Sequence, residues 1–144
     1  MRRRACLTLL ILVFPACIAP ARSAEDYEHK AVDTAEAVLS SVQTGLLVTR
    51  LAPMRAFAPY VSVALSEAEA GAAVASATFL SLQPPVSESD EVRAELASLL
   101  ARSEDALSGA RIAARRGDLD GLLHSADPLS TTAASLERFI ARFG

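Results

Sequence analysis

Tryptophan is absent from this 144-residue chain, and its other aromatic residues are few enough to exclude a class of function. Aromatic residues make up 5% of the sequence, and the formal net charge is −3. A nucleic-acid-binding surface normally combines a basic stripe with aromatic side chains. The sequence has neither feature, so we expect no general binding to nucleic acid.

Cysteine is almost as scarce, and both copies lie in a segment with the features of a secretory signal peptide. Three arginines at positions 2–4 precede an apolar run over residues 5–14, which is too short to span a bilayer as an anchor. Ala19-Pro20-Ala21 then supplies a small-x-small cleavage pattern. We therefore expect a signal peptide over residues 1–21, cleaved at about residues 21–24, and a secreted, periplasmic or cell-envelope location.

Two alternatives to ordinary cleavage depend on residues of this leader. A lipoprotein signal would make Cys17 the first mature residue and anchor it to lipid, although Phe14 and Pro15 depart from the usual Leu-Ala-Gly-Cys pattern. A twin-arginine signal is disfavoured by Cys6 and Leu7 after the arginines. Ordinary cleavage removes both cysteines, so it leaves no disulfide in an otherwise oxidising compartment.

Apolar residues recur at helical spacing through the rest of the chain and no strand pattern competes with them. The pattern predicts four helices, at about 26–51, 59–83, 88–116 and 119–143. Pro53 and Pro84-Pro85 mark connections, Ser87 or Ser89 is expected to cap the third helix, and Gly117 suits a left-handed cap. Asp118 is expected to cap the fourth helix. The predicted fold is all-α, an antiparallel up-down-up-down four-helix bundle over residues 25–144.

The second predicted helix is apolar on nearly every side, with Glu67 and Glu69 as its only charges. One stripe comprises Val61, Leu65, Ala68, Ala72, Ala75, Phe79 and Leu82. A second stripe comprises Val63, Ala70, Val74 and Ala77. We expect this to be the most buried helix and not a membrane span, because two glutamates near its middle are costly in hydrocarbon. Small residues such as Gly71 would allow close packing inside the bundle or, outside it, a homodimer contact.

The fourth predicted helix contains Pro128, which removes one backbone hydrogen bond. Its apolar face is regular: Leu119, Leu122, Ala126, Leu129, Ala133, Leu136, Ile140 and Phe143. Because this face continues through Pro128 without a shift, we prefer one kinked helix over a break with Asp127 as a new cap.

Three segments resemble those of small exported, alanine-rich helical proteins of high-GC bacteria, a group without an assigned activity. The segments are PYVSVALSEAEAG, FLSLQPP and ARRGDLDGL. The resemblance covers most of the chain after the leader and depends on caps, prolines and helix faces. It implies a helical fold and export, and it carries over no functional residue.

Signatures of catalysis or of cofactor binding are lacking. The sequence has no Gly-rich phosphate loop, no HExxH motif and no nucleophile elbow, so we expect neither an enzyme nor a bound cofactor. His29 with Asp33, and His124 with Asp120, are spaced as weak metal-ligand candidates on single helix turns. Their ordinary interpretation is solvated polar residues near helix ends. In the predicted topology the two histidines lie at opposite ends and cannot share one ion.

Charge is expected to separate along the bundle. The predicted topology gathers basic residues at one end: Arg50, Arg55, Arg111, Arg115 and Arg116. It gathers acidic residues at the other: Glu25, Asp26, Glu28, Glu88, Asp90, Glu91 and Glu95. Helix dipoles favour this distribution in any case. A sharper hypothesis is that the arginine end binds an anionic envelope component.

These observations favour an exported, non-enzymatic helical bundle that binds an unidentified partner or surface in the cell envelope. The alternative is an exported bundle that binds a small ligand or a metal ion.

The leader yields a direct prediction about processing. The mature protein should begin near Arg22 and carry no lipid, because the match at Ala19-Pro20-Ala21 is better than that before Cys17. Intact-mass measurement of exported material checks this. A diacylglycerol mass on Cys17 would show that the lipoprotein interpretation is correct instead.

Overall fold

The computed structural model describes residues 23–54 and 58–144, without the side chains of residues 58 and 59. The predicted signal peptide, Cys17 and Arg55 lie outside the described residues. The described chain contains α1 (Ala24–Leu51), α2 (Ala58–Leu80), α3 (Ser89–Arg116), α4 (Leu119–His124) and α5 (Ala126–Phe143), and no strand. Because α4 and α5 together form the fourth member, the predicted all-α four-helix bundle is confirmed.

Contacts at one end of the bundle, here called the Tyr27 end, fix the antiparallel order. The ring of Tyr27 near the start of α1 lies 5.3 Å from that of Phe79 near the end of α2. Arg142 near the end of α5 forms an ion pair with Glu95 near the start of α3. The opposite end, here called the Gly117 end, contains the end of α1 and the connection from α3 to α4.

Local side-chain chemistry explains several helix boundaries. The Ser23 side chain accepts a hydrogen bond from the Asp26 N–H at 3.1 Å and caps α1. Gly117 ends α3 in the left-handed conformation, with φ of 68°, and Asp118 caps α4 by accepting from the Gly121 N–H at 2.9 Å. The predicted caps at Gly117 and Asp118 are thus confirmed.

The start of α3 differs from the expected serine cap. Its N-cap residue is Glu88, whose side chain makes no capping hydrogen bond. Ser89 is instead the first helical residue and is buried, with a side-chain oxygen that has no partner among the described residues. Ser87 donates a hydrogen bond to Glu88 and does not cap the helix.

The second helix ends earlier than the proline pair predicts, at Leu80 and not at residue 83. Arg93 of α3 explains the early end, because its guanidinium donates hydrogen bonds to the Leu80 carbonyl at 2.7 Å and to the Leu82 carbonyl. It also lies 3.4 Å from the buried Tyr27 hydroxyl. One arginine thus satisfies carbonyls that the end of an α-helix leaves without partners.

Both α1 and α3 contact every other helix of the described chain, and they pack directly against each other across the bundle. Gly45 permits this approach, since a Cβ there would lie 2.7 Å from Cδ2 of Leu107. Across the other diagonal, α2 and α5 lie at separate corners. The expectation that α2 is the most buried helix is therefore wrong, because α1 and α3 share the central place and α3 has the most buried residues.

The fourth member is interrupted at Ser125, three residues before Pro128. Ser125 keeps helical angles (φ −68°, ψ −13°), and its N–H donates to the carbonyls of Gly121 and Leu122. Asp127 lies inside the first turn of α5 and is not its cap. The prediction of one helix over residues 119–143 is therefore wrong, because two helices meet at Ser125. The alternative prediction, a break capped by Asp127, is also wrong.

This position predicts a small effect for Pro128→Ala. A proline in a first helical turn removes little hydrogen bonding, so we expect a stability gain of about 1 kcal/mol or less, well below the ~3 kcal/mol of an interior proline. Chemical unfolding measures the change. Ala134→Pro, at an exposed interior position of α5, is the matched control and should cost roughly 3 kcal/mol. A gain near 3 kcal/mol for Pro128→Ala would contradict the observed boundary.

Candidate interaction surface

The second apolar stripe of α2 faces solvent. Val63 is 57% exposed and Val74 is 68% exposed, and Ala70 and Ala77 beside them are also exposed. Tyr60, at the edge of the stripe, is 70% exposed. These five residues are here called the outer face of α2. Sequence periodicity identified the stripe, but its exposure does not fit the expectation that this is the most buried helix.

The opposite side of α2 forms part of the core, as its first stripe predicts. The buried members are Val61, Leu65, Ala68, Ala72 and Phe79, and Ala75 is partly buried. Leu82, which the stripe also predicts, is buried just beyond the end of the helix. Gly71 allows α1 to approach, because a Cβ at this position would lie 3.2 Å from Oγ of Ser41. The small residues on this side therefore serve packing within the bundle.

The two glutamates of α2 have different surroundings. Glu69 is half-buried and accepts two hydrogen bonds from Arg111 of α3, one from Nε to Oε2 and one from Nη2 to Oε1 at 3.2 Å. Glu67 is exposed and forms no ion pair or hydrogen bond among the described residues. Glu67 is thus the only charged residue of α2 that borders its outer face.

A shallow depression crosses the outer face of α2 and reaches α3. Its lining includes Val63, Glu67 and Val74, together with Arg115 of α3. Arg115 is exposed and, like Glu67, has no ion-pair partner within the described part of the chain. An apolar strip is therefore bordered by one acidic and one basic side chain.

Only part of the arginine cluster predicted for one end of the bundle is exposed at that end. Arg50, Arg115 and Arg116 are exposed toward the Gly117 end, whereas Arg111 is held by Glu69 and Arg55 lies outside the described residues. The acidic residues Asp118 and Asp120 lie at the same end. Binding of this end to an anionic surface stays a prediction.

The predicted acidic end also contains cations. Lys30 pairs with Asp26 at 2.6 Å, and Arg142 pairs with Glu95. Arg93 adds a third positive charge there. The two ends therefore differ less in charge than the sequence pattern predicts.

The weak metal candidates do not come together. His29 lies near the start of α1 and His124 at the end of α4, so they occupy opposite ends as predicted. Both histidines are exposed, and Nδ1 of His124 lies 2.7 Å from the backbone carbonyl of Asp120, not from its carboxylate. Across residues 23–54 and 58–144, no three His, Cys, Asp or Glu side chains are grouped to hold a metal ion. Neither His29 with Asp33 nor His124 with Asp120 gains a third ligand.

By length and composition alone, the segment Tyr60–Leu80 could cross a membrane, and 28% of its most apolar window is buried in the bundle. Here it packs against α1 and α3. The low burial follows from the uncovered outer face. Comparisons with protein-family models, curated proteins and solved structures found no match to this chain.

The half-buried pair of Glu69 and Arg111 predicts a measurable coupling. A double-mutant cycle with Glu69→Gln and Arg111→Met should give about 1 kcal/mol, because the pair is forked and largely shielded from water. The pair of Asp26 and Lys30, four residues apart on one helix, is the control and should give about 0.3–0.5 kcal/mol. Equal couplings in the two cycles, measured by chemical unfolding, would contradict the packing of α2 against α3.

Proposed function

We propose that this protein is an exported, non-enzymatic helical bundle that works by binding in the cell envelope, and that the outer face of α2 is its contact surface. The observation that carries the proposal is the exposure of Val63 and Val74 on a helix whose outer side has almost no charge. Contiguous exposed apolar patches on globular proteins commonly mark interaction sites.

The other outer helix faces provide the contrast. On α1 the exposed positions include Glu36, on α3 they include Arg102, and on α5 they include Glu137 and Arg138. Such faces are suited to contact with water. The outer face of α2 is not suited to contact with water, because exposure of apolar side chains to water is unfavourable. Contact with a partner removes this cost.

Support for export comes from the leader pattern alone. An arginine run, a short apolar stretch and a small-x-small site in this order are typical of secretion signals. The envelope is therefore the compartment in which the α2 surface would meet its partner. The proposal assigns no catalytic residue and no cofactor.

Site-specific photo-crosslinking in cells that export the protein tests this proposal. A benzophenone side chain at position 74 should give a covalent adduct, because Val74 is a strongly exposed member of the outer face. The same group at position 47 should not, because Leu47 is similarly exposed, at 58%, but lies on α1 outside this face. Adducts at both positions in equal yield, or at neither, would refute the proposal.

A further inference from the structure

Within the described residues, no helix covers the outer face of α2. We propose that its occupant is a second copy of this chain, which packs the same face with the two α2 helices parallel about a two-fold axis, so that Glu67 of each copy pairs with Arg115 of the other. This inference rests on the proposed function and names the partner of the same surface.

The first support is the placement of the two unpaired charges on opposite edges of the face. Glu67 is one helical turn before Gly71, which faces Ser41 of α1, so Glu67 borders the α1 side. Arg115 is one turn after Arg111, which binds Glu69 on the α3 side of α2. The acid and the base therefore flank the apolar strip from different sides.

A two-fold axis that lies in the interface and runs parallel to α2 turns the two faces toward each other and exchanges these edges. Each residue keeps its level along α2, and Glu67 and Arg115 lie at a similar level because they line the same depression. The axis brings the α3 edge of one copy over the α1 edge of the other and so places Arg115 near the second copy's Glu67. An interface of this isologous kind must be complementary to itself. An apolar strip with one acid on one edge and one base on the other meets that requirement twice per dimer.

The second support is the shape of the strip. It consists of small or β-branched side chains, with Ala70 between Val63 and Val74 and with Ala77 about one turn beyond Val74. Small residues at a helix–helix contact let the backbones approach closely, and ridges then fit into grooves at interaxial distances of roughly 8–10 Å. The partner that fits this strip is another helix of the same texture.

An anionic lipid surface fits the strip less well. Helices that lie on membranes usually carry Lys or Arg along their polar side, whereas α2 contains neither. The full sequence has 14 basic and 17 acidic residues and a net charge of −3, so the protein as a whole is repelled by anionic headgroups. A lipid contact would also leave Glu67 against hydrocarbon, whereas a second copy offers it Arg115.

Charge reversal combined with mixing tests the pairing. Sedimentation velocity of the full chain over a concentration series should show a monomer–dimer equilibrium. Glu67→Arg alone and Arg115→Glu alone should each raise the dissociation constant by about tenfold or more, because each puts two like-charged pairs in the dimer. A one-to-one mixture of the two variants should recover the parent affinity, since both pairs in the mixed dimer are then of opposite charge.

Matched variants separate the face from general surface effects. Val74→Glu should abolish the dimer, and Leu47→Glu, at an exposed apolar position of α1, should leave it unchanged. All of these positions are exposed, so circular dichroism should show the parent helix content in each variant. The parent and every variant are compared as full chains that differ only at the substituted position.

Three outcomes overturn the inference: a monomer at every concentration, a mixture that fails to recover affinity, or a dimer insensitive to Val74→Glu. The crosslinking result then distinguishes the two proposals. An adduct at position 74 whose mass differs from twice that of the chain leaves the proposed function standing and removes the second copy as the partner. Absence of any adduct removes both.

Discussion

The direct contact between α1 and α3 is the constraint on which the rest of this structure depends. Gly45 has no side chain, and Cδ2 of Leu107 in α3 lies 2.7 Å from the position that a Cβ would take. Ala31, Ala35, Val38 and Val42 of α1 are likewise small to medium in size and fully buried. Two helices that approach this closely shorten one diagonal of the bundle and lengthen the other. The remaining helices then pack on either side, where each contacts α1 and α3 and leaves its outer half uncovered.

That geometry has different consequences for α2 and α5. In α5 the outward positions are polar or charged, as with Glu137 and Arg138, and burial of Leu129, Leu136 and Phe139 suffices to hold it. In α2 the outward positions are apolar. Its inner side is fixed by Phe79 against Tyr27, by Arg93 at its C-terminal end and by the pair of Glu69 and Arg111. The uncovered side is therefore held in place by interactions that do not involve it, as a binding surface requires.

Sequence periodicity predicted the helical class, the order of the helices and the buried stripe of α2, because each depends on local spacing and on caps such as Gly117 and Asp118. It did not predict that the second apolar stripe of α2 would remain exposed. That outcome depends on how near α1 lies to α3, and Gly45 contributes no apolar signal to the pattern.

The tertiary roles of arginines were equally hidden from the sequence. Arg93 donates to carbonyls 13 and 11 residues earlier, and Arg111 pairs with a glutamate 42 residues earlier. A linear charge pattern therefore assigned Arg111 to a basic end, although the fold uses it to join two helices. For Ser125, the small shift of a helix boundary away from Pro128 depends on hydrogen bonds to Gly121 and Leu122 that spacing does not encode.

The measurement that tests the central claim most directly is the distance between spin labels on the outer face of α2 in two copies of the chain. A label at Ala70→Cys, in a background with Cys6→Ser and Cys17→Ser, reports on the middle of the strip. Facing helices with axes roughly 8–10 Å apart should give strong dipolar coupling between copies, and dilution with unlabelled chain should remove it. Absence of coupling at position 70 at concentrations where the chain is dimeric would show that this face does not join the two copies.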